Sequence, residues 1–139
     1  MARVTVLPQS LAEVRAKLLL FQPAAGQAFY GFTSGSVRLD VGTSITVYVL
    51  DASGVPAAGV NVYNVRPDGK YEVIQTGGNG AATFFTGPGA RFWAPADGPH
   101  TVFVGPDASG PRAVGDQVTS LGLPEGRHAE YGITFREIT

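Results

Sequence analysis

The sequence predicts an all-β protein, a single antiparallel sandwich or barrel of about seven short strands. Three observations predict it. The 139 residues include 19 glycines and 10 prolines but only 15% charged side chains, a composition of many turns and few long helices. Apolar and polar residues alternate with period two from residue 36 onward. Turn chemistry recurs between the alternating stretches. The length suits one domain, and with 44% apolar residues the chain can bury a core without metal or disulfide.

Residues 1–34 differ from the rest and read as an N-terminal arm, ahead of a sandwich over residues 35–139. Arg3–Leu7 alternates as a short strand that stops at Pro8. Ser10 with Glu13 three residues on is a capping-box signature. Leu11, Val14, Leu18 and Phe21 follow at helical spacing, which predicts a short amphipathic helix over 11–21. Val14, Ala16, Leu18 and Leu20 also alternate, so the same stretch fits a strand. Pro23 ends either element, and 22–36, rich in Gly, Ala, Ser and aromatics, reads as a long ordered loop.

Strands then follow in order. Val37, Leu39 and Val41 alternate with Arg38 and Asp40, and Ile45, Val47 and Val49 with Thr46 and Tyr48. Asp51–Pro56 is a turn, with Gly54 supplying positive φ. Val60 and Val62 restart a strand, which Arg66-Pro-Asp-Gly-Lys70 turns into Tyr71–Gln75. Gly77–Gly80 reads as a hairpin turn into Ala81–Thr86, and Thr101–Val104 and Tyr131–Ile138 complete the set. Asp51-Ala-Ser-Gly and Asp107-Ala-Ser-Gly are identical, which turn chemistry alone explains.

Ile45-Thr-Val-Tyr-Val-Leu-Asp-Ala-Ser-Gly-Val-Pro-Ala-Ala-Gly-Val60 resembles the opening strands of bacterial immunoglobulin-like domains of the invasin and carboxypeptidase-regulatory-like branches. Gln75-Thr-Gly-Gly-Asn-Gly-Ala-Ala-Thr-Phe84 is similar to their second signature. The resemblance covers residues 36–104 and implies an Ig-like β-sandwich. The tail from Gly115 to Phe135 is similar to accessory modules of surface proteins and cell-wall hydrolases, and the arrangement as a whole to Ig-like proteins that decorate phage capsids and tails. Both imply a non-catalytic role.

The composition narrows the chemistry further. With no cysteine, thiol catalysis, disulfides and zinc-thiolate sites are excluded. With only His100 and His128, a three-His metal site cannot form within one chain. A net charge of −1 argues against nucleic-acid binding, and no apolar run is long enough to insert in a membrane as a helix. Met1 reads as the start of a mature chain, and no signal peptide is recognisable. No residue set reads as catalytic or as a metal or cofactor site. Asp97, His100, Asp116 and His128 are the nearest to one, and a turn Asp beside a half-exposed His is the simpler reading.

Aromatic residues point to binding. If Ile45, Val47 and Val49 face inward, Tyr48 faces outward; by the same count Val62 faces in and Tyr63 out. Paired strands would put both tyrosines on one outer face, with Phe92 and Trp93 in a loop or strand edge. Such a face suits a protein interface or sugar stacking. Leu11, Val14, Leu18 and Phe21 on the arm form a second candidate interface, against the chain's own sandwich or a neighbouring subunit. The sequence therefore reads as a structural or interaction protein on a virion or cell surface, with protein partners and possible self-association. The alternative is a carbohydrate-binding accessory module.

Overall fold

The computed structural model describes residues 17–39, 44–85, 100–121 and 129–138, and the described chain is all-β. Its strands are β1 (Lys17–Leu19), β2 (Phe29–Leu39), β3 (Ser44–Leu50), β4 (Asn61–Val65), β5 (Tyr71–Gln75), β6 (Ala81–Phe85), β7 (His100–Gly105), β8 (Gln117–Leu121) and β9 (Ala129–Ile138). They form two sheets, ordered β1-β8-β7-β4-β5 and β2-β9-β3-β6.

The alternation read from the sequence builds the core between them. Ile45, Val47 and Val49 of β3 are fully or almost fully buried, with Phe84 of β6 and Ile133 and Phe135 of β9. From the other sheet, Val62, Val102, Val104 and Val118 meet them in one cluster. These are β-branched and aromatic residues, the types that pack well on a pleated surface.

Pairing is not purely antiparallel as expected. β3 runs parallel to β9, from Ser44 beside Glu130 to Leu50 beside Arg136. The exception follows from topology: β2 and β3 are consecutive but do not pair, because β9 inserts between them. Gly77–Gly80 is a tight turn but not a hairpin. It carries the chain from β5 in the five-stranded sheet to β6 in the four-stranded one. Gly80 sits there at φ +75°, and a Cβ on it would lie 2.8 Å from the Val49 carbonyl oxygen. Only glycine tolerates both.

The N-terminal helix is also corrected. Residues 17–19 are a strand, with Lys17, Leu18 and Leu19 opposite Thr119, Val118 and Gln117 of β8. The alternating reading of Leu18 and its neighbours wins because a sheet edge is available to pair it. Residues 11–16, with Leu11 and Val14, lie outside the described residues. The expected loop over 22–36 is largely strand, since β2 begins at Phe29 and runs on past Ser34, with a register shift between Phe32 and Ser34.

A buried carboxylate joins these parts. Asp116, fully buried, precedes β8. Its Oδ1 accepts the Phe21 N–H at 2.7 Å and its Oδ2 the Phe32 N–H at 2.8 Å. Its own N–H donates to the Tyr30 carbonyl at 2.9 Å, while the Tyr30 N–H donates to Val114 at 3.0 Å. Asp116→Ala removes two charge-assisted bonds, at a cost of roughly 3 kcal/mol. The melting temperature should drop by roughly 10 °C, and amide exchange at residues 17–21 should accelerate beyond the rest of the core.

Candidate functional site

The described structure separates the two tyrosines that the sequence placed together. Tyr48 faces out from β3, 43% exposed. Tyr63 lies on β4 in the other sheet and is completely buried. It does point away from the core, as the period-two count requires, but the segment after β7 covers it. The Tyr63 hydroxyl donates to the Asp107 carbonyl at 2.7 Å and accepts the Gly110 N–H at 3.1 Å. Its ring stacks on Phe103 at 5.5 Å and meets Tyr71 at 5.6 Å. The shared aromatic face is therefore not formed. Phe92 and Trp93 lie outside the described residues.

Of the arm residues, Leu18 packs partly buried against the core, and the Phe21 ring stacks on Phe29 at 5.8 Å. Both turn toward the chain's own fold. Leu19 instead faces solvent, 53% exposed. The two Asp-Ala-Ser-Gly segments are Asx turns: the Asp51 carboxylate accepts the Ser53 N–H at 2.8 Å, and that of Asp107 the Ser109 N–H at 2.9 Å.

The acid–imidazole pairing does not assemble from its described members. His100 stands opposite Leu121 at one end of β8, while Asp116 precedes the other end. About five strand residues, roughly 16 Å, lie between them. Asp97 and His128 lie outside the described residues. Among the described residues no three His, Cys, Asp or Glu side chains converge as a metal site.

A different polar group does converge. The inward parity of Val62 continues to Asn64 and Arg66 along the chain, and Glu72 stands opposite Asn64 on β5. His100 joins them from β7, 3% exposed rather than half-exposed as expected. Burial, then the nearby Arg66 guanidinium, pushes its pKa down to about 3, so the ring is neutral at pH 7 and too weak a base for proton abstraction there. Arg66 pairs with Asp68 at 2.9 Å. Asn64 is fully buried, and neither amide atom has a hydrogen-bond partner among the described residues. The sequence carried the signal for this group: alternation counted on from Val62 puts an Asn and an Arg on the core face. On β8, next to the Leu121 that pairs with His100, Ser120 takes φ +61° where β7 and β8 slip register. A non-glycine residue bears strain there.

The described chain is thus an all-β protein of two facing sheets, sandwich-like. No family model, curated protein or solved structure matches it.

Two outcomes follow from the buried group. A buried amide without partners is costly, so Asn64→Leu should stabilise by about 1 kcal/mol and raise the melting temperature by roughly 3 °C; thermal denaturation checks the sign. His100 has a folded pKa below its unfolded value, so the unfolded chain takes up a proton first on acidification. Stability should be fully present above about pH 6.5 and fall as pH drops toward 3. In His100→Phe that part of the slope should flatten, as read by melting temperature against pH.

Proposed function

We propose that the chain is a non-catalytic interaction module, an Ig-like sandwich that docks on a larger assembly such as a virion or a cell surface. The observation that carries this reading is the placement of β1. Among the described strands it is the outer one of the five-stranded sheet, with Leu19 exposed at 53%. An outer strand offers unpaired backbone groups to a further strand. Here an exposed leucine lies on the same strand, and an exposed stretch, 22–28, joins it to β2.

The described polar groups support the reading from the other side. Asp116, Thr76 and the two turn aspartates hold backbone in place. The Thr76 hydroxyl, for instance, donates to the Ala57 carbonyl at 2.6 Å and accepts the Val60 N–H at 3.0 Å. Groups committed to the backbone in this way serve the fold.

Sedimentation velocity of the full chain tests the reading. A concentration-dependent shift to a dimer or larger species is expected. Leu19→Lys should return the protein to monomer with an unchanged melting temperature, because the side chain is exposed. Wild type and variant that both sediment as monomers at every concentration would remove its support.

A further inference from the structure

The two sheets differ in what covers their outer faces. On the five-stranded sheet, Tyr63, Phe103 and Tyr71 form an aromatic cluster, and the Asp107–Gly110 segment closes over Tyr63. On the four-stranded sheet the outward positions fall into two rows across all four strands. One row is Ser36, Gly132, Thr46 and Thr83. The next is Ser34, Thr134, Tyr48 and Ala81. None of these eight residues is charged, and six carry hydroxyls.

Among the described residues, charges stand only at the two ends of this field, and they are engaged. Arg38 pairs with Glu130 at 3.8 Å. The Arg136 guanidinium donates to the Ala52 carbonyl at 2.7 Å. Tyr48 makes no hydrogen bond or ring contact among the described residues. Its neighbours keep the ring clear: Ala81 and Thr134 flank it in register, and Gly132 lies diagonally beside it. A Cβ on Gly132 would lie 2.9 Å from Ser36 Oγ and 3.9 Å from Tyr48 Cε2. Glycine there lets the Ser36 hydroxyl and the edge of the Tyr48 ring settle over the β9 backbone.

We infer that this outer face binds a neutral polysaccharide, with Tyr48 as the stacking platform and the Ser36, Thr46 and Thr134 hydroxyls as its hydrogen-bonding field. A pyranose ring presents a C–H face that stacks on an aromatic ring, and a rim of hydroxyls that both donate and accept. Ser and Thr hydroxyls match that rim because they also do both. An anionic glycan or nucleic acid would need cations in the field, and the two rows hold none. The core of a protein–protein interface is richer in large apolar and aromatic groups than one tyrosine among hydroxyls. The inference goes beyond the docking reading, because it uses neither β1 nor self-association.

Affinity electrophoresis in native gels containing hydroxyethylcellulose, galactomannan, dextran or the anionic alginate tests it. At least one neutral polymer should retard the wild-type chain, and alginate should not. Tyr48→Ala should weaken the retardation at least tenfold with little change in melting temperature, and Thr46→Val/Thr134→Val should weaken it less. Leu19→Lys should bind as wild type does, which separates this face from the β1 edge. No retardation in any neutral gel, retardation by alginate alone, or equal retardation of Tyr48→Ala would each overturn the inference.

Discussion

The fold depends on one buried carboxylate. Asp116 lies where three pieces of chain from distant parts of the sequence meet: Phe21 two residues after β1, the edge strand β2, and the entry to β8. Phe21 and Phe32 are 95 and 84 residues away along the chain, so neither bond is supported by local geometry. An ionised carboxylate is costly to bury unless backbone N–H groups satisfy it. Here it is satisfied, and the strand beside it closes tightly. Tyr30 bridges Gly115 in parallel, and the Gly115 Cα lies so near the Tyr30 backbone that a Cβ there would collide with the carbonyl group. Asp116 thereby ties the edges of both sheets to each other, which core packing alone does not do.

The strands with clean alternation were legible in the sequence, and the reasons are physical. β3 and β7 carry alternating β-branched residues (Ile45, Val47 and Val49; Val102 and Val104), β4 adds Val62, and all of these are buried. The turns at Gly54 and Gly69 were legible because both positions take positive φ, +85° and +88°. β2 was harder to see. Its Thr33-Ser34-Gly35-Ser36 stretch has loop composition and a register shift, and pairing with β9 alone makes it a strand. β8 is short and contains a residue in the left-handed region, so its local signal is weak. The cross-sheet turn at Gly77–Gly80 has the same local chemistry as a hairpin turn. Only the partner of β6 distinguishes the two.

The candidate site was legible in its directions and not in its surroundings. Tyr48 and Tyr63 both point away from the core, as period two demands. Their fates differ because the segment after β7 folds over one sheet and not the other. Exposure depends on that distant segment, which a count along β4 cannot include. The reverse holds for Asn64. Its inward direction follows from Val62, but reading it requires accepting a polar residue on a core face. Sequence patterning treats that as the end of a strand.

These particulars gather most of the unmatched and strained groups toward one end of the molecule. At the Asp116 end the Asp116 and Thr76 side chains are matched by backbone groups, while the Asn61 Oδ1 is buried there without a partner among the described residues. At the other end Asn64 lacks partners among the described residues, His100 is held neutral, and Ser120 is strained. Local opening should therefore begin near His100 and leave the Asp116 junction for last, since sub-global stability follows the density of satisfied contacts. The outer face of the four-stranded sheet runs between these ends, on strands whose inner faces form the best-buried part of the core. Tyr48 projects from β3 between Val47 and Val49, both at zero exposure, so its backbone has little freedom to move. An exposed side chain on so rigid a strand has its backbone already fixed in the unbound chain. A flat ligand meeting it forgoes much of the entropic cost that binding to a mobile loop would carry.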